Sequence, residues 1–263
     1  MKPSIFYNID PAILCGILFA GCILMVIAGK VTRNKFLKKD ESDSPGGAGP
    51  LLGALFGLWG FVLAITFGNA SSRFENFRAV MIDEANSIRN AILRSETLSD
   101  SMQTSFNDEL KRYLELRIEY YNKSQDLSES AKLQQEGAEV GVRLWRMVTD
   151  LSKQPGYGPA GAALLATLTN MFDIAARRDA LLVTGVPLPI SVMLFSLALF
   201  VSFLGGFTSP MLKTKDWVVI AGFILLACII IYITIDLARP TAGFIAVDSG
   251  EDKIVQLLTL FDK

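Results

Sequence analysis

The sequence predicts an all-helical membrane protein: four transmembrane helices, with a helical soluble insert between the second and the third. Three observations predict it. Four uncharged runs, at residues 11–29, 51–72, 181–212 and 217–235, each reach about the 20 helical residues that a bilayer core requires. Outside them, apolar residues recur at steps of three and four, and no period-two alternation of useful length occurs. Composition agrees, since 51% of the 263 residues are hydrophobic and 19% are charged, against roughly 45 to 50% and about 25% in soluble domains.

The first run is expected to be a retained span, because Lys30, Arg33, Lys35, Lys38 and Lys39 follow it, whereas a signal peptide carries its basic residues in front. Residues 40–50 (DESDSPGGAGP) are a short polar connection. Their glycines lack the following Lys-Ser or Lys-Thr of a phosphate loop, and no strand precedes them. In the second span the small residues Gly53, Gly57, Gly60 and Gly68 are expected to let neighbouring helices approach closely. No Gly or Pro interrupts residues 69–98, and Phe74, Phe77, Met81, Ala85, Ile88 and Ile92 continue as one apolar stripe. One unbroken helix is therefore expected from about Leu51 to Leu93, about 65 Å at 1.5 Å per residue.

Further insert helices are marked by Phe106, Leu110, Leu114, Ile118 and Tyr121, then by Val140, Leu144, Met147 and Leu151, then by Leu164, Leu168, Phe172 and Ala175. QPGYGP at 154–159 is a turn by composition. Pro187 and Pro189 set the start of the third span at residue 188, proline being best tolerated in a first turn. Ile254, Leu257, Leu258 and Phe261 form a short amphipathic stripe behind Ser249 and Asp252 as capping residues, expected to pack on the insert. The chain thus divides into spans one and two (1–72), insert (73–180), spans three and four (181–235) and tail (236–263).

The same composition removes several functions. A net charge of -1 offers no basic excess for nucleic acid. Histidine is absent, which removes the commonest general base and transition-metal ligand together. Cys15, Cys22 and Cys228 sit in apolar runs and read as small buried hydrophobes, with no disulfide framework or metal site. Carboxylates such as Asp83 and Glu84 have no catalytic spacing and read as parts of solvated helix faces. Neither an enzyme nor a cofactor is expected.

The second span is more informative. Steps of about four place Phe61, Ile65 and Asn69 on one face, continuing through Ser72 or Arg73, Asn76, Val80, Asp83 and Glu84. Within a few turns that face changes from apolar to amide to charged. In a monomer Phe61 and Ile65 would pack on lipid or on the other spans. In an oligomer the same face would make an apolar neck opening into a polar vestibule.

Residues 61–78 read FVLAITFGNASSRFENFR, which resembles the segment of bestrophin channels where a neck helix carrying LAI runs into Asn-Ala-Ser and then Arg-Phe-x-x-x-Arg. EANSIRN at 84–90 and DLARPTAGFIAV at 236–247 resemble the bestrophin-like family of bacterial four-span proteins. The resemblance implies a pentamer around a central pore, in the bacterial inner membrane, with the insert as a cytoplasmic vestibule and both termini on the same side. Positive charges flanking the membrane nearly balance between the two sides, so the orientation comes from the resemblance alone. Of the three bulky neck positions of bestrophins, Phe61 and Ile65 match two. The third falls on Asn69, and the spacing from LAI to Asn-Ala-Ser is about one turn shorter. The acidic calcium clasp of animal bestrophins has no counterpart.

At the exit from span four, Pro240 should end or kink the helix at Arg239, and Gly243 permits a turn that other residues resist. Asp236 or Arg239 is expected to pair with the segment around Arg73, Glu75 and Arg78, fixing the junction between membrane and vestibule. The function expected is a homo-oligomeric ion channel, with the bilayer, further copies of the chain and inorganic ions as partners. The alternative is a non-conducting membrane scaffold or sensor whose insert binds a protein.

Overall fold

The computed structural model describes residues 10–36, 48–124, 126–183, 188–208, 214–239 and 253–261. All regular structure among them is helical: α1 (Pro11–Phe36), α2 (Ala48–Ser95), α3 (Asp100–Asn122), α4 (Leu127–Ser152), α5 (Gly158–Val183), α6 (Leu188–Thr208) and α7 (Thr214–Leu237), then a helical turn ending in Leu257–Leu260. Among the described residues, four helices, α1, α2, α6 and α7, are long and apolar enough to cross a membrane. Pro187, Ser249, Asp252 and most of the 40–50 connection lie outside the described residues.

The chain forms two compact units, Met1–Arg73 with Gly185–Ala238, and Phe74–Thr184 with Arg239–Lys263. α2 runs unbroken through residue 73, so its 48 residues make about 72 Å of helix at 1.5 Å per residue.

In the apolar unit, α1 packs along α6 and also against α7. Two glycines bring the backbones of α1 and α6 together. A Cβ added at Gly29 would overlap the Phe203 carbonyl oxygen, and one at Gly206 would overlap that of Val26, so the two backbones touch where side chains are missing. Arg33 then caps α6, donating from Nη1 to the carbonyl oxygens of Thr208 at 2.9 Å and Phe207 at 3.4 Å, which a helix C-terminus otherwise leaves unsatisfied. Cys15, Cys22 and Cys228 are buried free thiols in this core.

α2 is held more loosely. Phe56 and Trp59 rest on Phe223 at ring separations of 5.5 and 6.1 Å. A cavity of about 1110 Å³ opens beside them, lined by residues such as Leu18, Cys22, Leu63, Ala198 and Ile231. The sequence reading of the α2 glycines does not hold within the chain: a Cβ at Gly53, Gly57, Gly60 or Gly68 would meet nothing within 4 Å, and close approach is made by α1 and α6 instead.

The polar unit surrounds an apolar core in which Phe77, Met81 and Ile88 of α2 meet Phe106, Leu110 and Leu114 of α3, Leu144 and Val148 of α4, and Leu164, Leu168 and Met171 of α5. Ile254 and Leu257 are buried in the same core, and Leu258 and Phe261 pack against it. Asp126 caps α4, its carboxylate accepting from the amides of Ser128 at 2.9 Å and Glu129 at 3.2 Å. The turn before α5 needs Gly156, whose φ of 88° lies where side-chain-bearing residues are strained.

Candidate functional site

Two features of α2 stand out, one on each face. Within the apolar unit, Trp59, Leu63, Thr66 and Ala70 are buried, and Phe61, Ile65, Asn69 and Ser72 lie on the other side, exposed. Phe61 retains 63% of its surface and Ile65 49%. Of the four membrane-length helices α2 is the least covered by its own chain, with 17% of its most apolar window buried against 33% for α1 and 22% for α6 and α7. Within the polar unit, Asn76, Ala79, Asp83, Asn86 and Asn90 are exposed at the same steps of three and four, and Phe77, Val80, Met81, Glu84 and Ile88 are buried.

Two expected lining residues are therefore corrected. Val80 and Glu84 point into the interior of the polar unit, at 5% and 0% exposure. Repeated steps of four precess about 40° per step around a helix of 3.6 residues per turn, so a face traced that way drifts onto the buried side. Arg73 is half-buried, and Arg78 is exposed on a different side of α2 from Asp83.

Glu84 occupies the centre of a buried ion cluster that draws on α2, α3 and α5. Its Oε1 accepts from Arg117 Nε at 2.8 Å, and its Oε2 pairs with Arg178 Nη1. Arg117 also reaches both oxygens of Asp179, Nη1 to Oδ2 at 3.1 Å and Nη2 to Oδ1 at 2.9 Å. Two guanidiniums and two carboxylates balance in charge. The Arg117 guanidinium lies 5.3 Å from the Tyr120 ring centre and that of Arg178 lies 5.4 Å from Tyr121, which stacks on Phe77. Burial alone would push the Glu84 carboxyl up, but Arg178 and Arg117 outweigh it and hold it below its ordinary value. Burial pushes the neighbouring Tyr113 hydroxyl up to about 12.

The sequence reading missed Arg117, Arg178 and Asp179. A signal was present, since Arg117 falls seven residues after Leu110 and Arg178 ten after Leu168, on the apolar stripes of their helices. A charge at a core register calls for a buried partner.

At the end of α7, Asp236 is 1% exposed and Arg239 7%, so both are buried within the chain. The helix stops at Leu237, in keeping with the restriction that Pro240 places on the residue before it. Pro240 and Gly243 lie outside the described residues.

A family model described as a bestrophin-like domain matches residues 15–251. No curated protein matches the chain. Among solved structures, the chain is similar to a bacterial bestrophin homologue from Klebsiella pneumoniae, with a TM-score of 0.71 and 11% identity, over 94% of this chain and 97% of that one. At that identity the likeness is one of fold.

Proposed function

The chain belongs to the bestrophin-like family, and on that premise we propose that it is one subunit of a homo-oligomeric, pentameric ion channel whose conduit is lined by α2. It is a multi-pass membrane protein by its family and its four apolar helices. The observation that carries the proposal is the face of α2 that its own chain leaves uncovered: bulky Phe61 and Ile65, then amide and hydroxyl at Asn69, Ser72 and Asn76. Packed around an axis, the first pair forms a narrow apolar neck that gates by dewetting, and the polar continuation lines wider, wetted space. Lipid alone would favour an apolar face throughout the span; it gives no reason for the exposed amide at Asn69. With Asn69 at the third neck position, this neck is shorter than one built of three apolar rings. The insert and both termini face the cytoplasm of a bacterial cell in this reading, and the permeating species are inorganic ions.

The reading of the insert as a docking module for another protein draws on Val142 and Trp145, one helical turn apart on α4 and both exposed.

The test is ion flux from proteoliposomes holding the purified protein, with Ile65→Ala as the probe. Flux that rises when Ile65 is cut back supports an α2 neck. Protein that is monomeric in mild detergent and silent in flux overturns the proposal.

A further inference from the structure

We propose that Asp83 sets the charge preference of the conduit and makes it select cations. This rests on the channel reading and goes beyond it by naming the class of ion and the residue that discriminates. At about 100° per residue, Phe61, Ile65, Asn69, Ser72, Asn76 and Asp83 fall within about 80° of arc on α2, with Asp83 near the centre. Its neighbours on that face, Asn76, Ala79 and Asn86, are exposed and uncharged, so nothing beside it on the helix cancels the carboxylate.

The other ionised residues of α2 between Phe61 and Asn90 are turned away from that centre. Arg78 and Arg89 stand about 140° and 120° around the helix from Asp83. Arg73 and Glu75 flank it at about 80° on opposite sides, with opposite charges. Glu84, adjacent in sequence, is buried between Arg117 and Arg178. The uncovered face thus presents one net negative charge per subunit. Copies arranged around an axis form an anionic ring in the wetted space past the neck, and a ring of one sign beside the path of an ion concentrates ions of the other sign.

Reversal potentials across a planar bilayer under a KCl gradient test this on the wild-type protein, Asp83→Asn and Asp83→Lys. Asp83 is exposed and Asn is its neutral isostere, so folding and assembly should survive, which elution from size exclusion checks. The wild type should reverse toward the potassium equilibrium potential. Asp83→Asn should lower the potassium-to-chloride permeability ratio by on the order of fivefold, the effect of removing a local potential near one kT. Asp83→Lys should move the reversal toward chloride. Wild-type current that is already chloride-selective, or a ratio unmoved by Asp83→Asn, overturns this inference and leaves the channel standing. A wild-type protein that carries no current overturns the channel reading, and this inference falls with it.

Discussion

Glu84 and Arg178, 94 positions apart in sequence, form an ion pair with neither side chain exposed, fastening α2 to α5 inside the insert. Arg117 of α3 completes the grip on the second carboxylate oxygen. Taking charges out of water is costly, and mutual attraction offsets that cost only while every partner is present.

Removing one member should therefore be severe. Glu84→Met or Arg178→Met should destabilise the insert by about 3 to 5 kcal/mol, the usual consequence of orphaning a buried charge. Glu84→Met combined with Arg178→Met should recover part of the loss, because Arg117 keeps its pair with Asp179. Chemical denaturation of the detergent-solubilised protein, followed by circular dichroism, measures both. A double variant weaker than the sum of the singles would contradict this account of the cluster.

The cluster also predicts an acid-side loss of stability. The folded-state pKa of Glu84 is lowered, so its contribution is fully present above the unfolded value, about 4.3, and disappears as pH falls through the lower folded value. Melting temperature should fall more steeply below about pH 4.3 in the wild type than in Glu84→Gln, which has no proton to take up. Parallel curves for the two proteins would show that other carboxylates dominate.

The α1 and α6 contact makes a separate prediction. Gly206→Ala places a methyl group against the Val26 carbonyl and should cost about 1 to 3 kcal/mol as overpacking. Gly57→Ala meets open space within the chain, and its fold should be unaffected. Thermal melting in detergent compares the two, and equal losses would contradict the backbone contact described here.

The spans were legible in the sequence because uncharged length is nearly sufficient to identify a membrane helix. The insert core was legible because Phe106, Leu110 and Leu114, or Leu164 and Leu168, keep helical period without interruption. The ion cluster was not, because Glu84, Arg117 and Arg178 come from three helices, and no local spacing records that they meet. The environments of Asp83 and Glu84 were inseparable for a related reason. Adjacent residues on a helix differ by about 100°, and which of the two faces inward depends on partners far along the chain. Gly53, Gly57, Gly60 and Gly68 of α2 look like Gly206 of α6 in sequence, yet of these five Gly206 alone has a backbone against it.

The central claim is that the uncovered face of α2 lines an ion conduit. Single cysteines placed at Ser72 and Asn76 on that face, and at Arg89 about 120° around the helix from Asp83, test it when current through the reconstituted protein is recorded before and after a charged thiol reagent. The native cysteines are buried and should stay silent in the parent protein. Current should fall on modification of Ser72→Cys and Asn76→Cys and persist in Arg89→Cys. Current that is unaffected at Ser72 and Asn76, or blocked equally at Arg89, would contradict it.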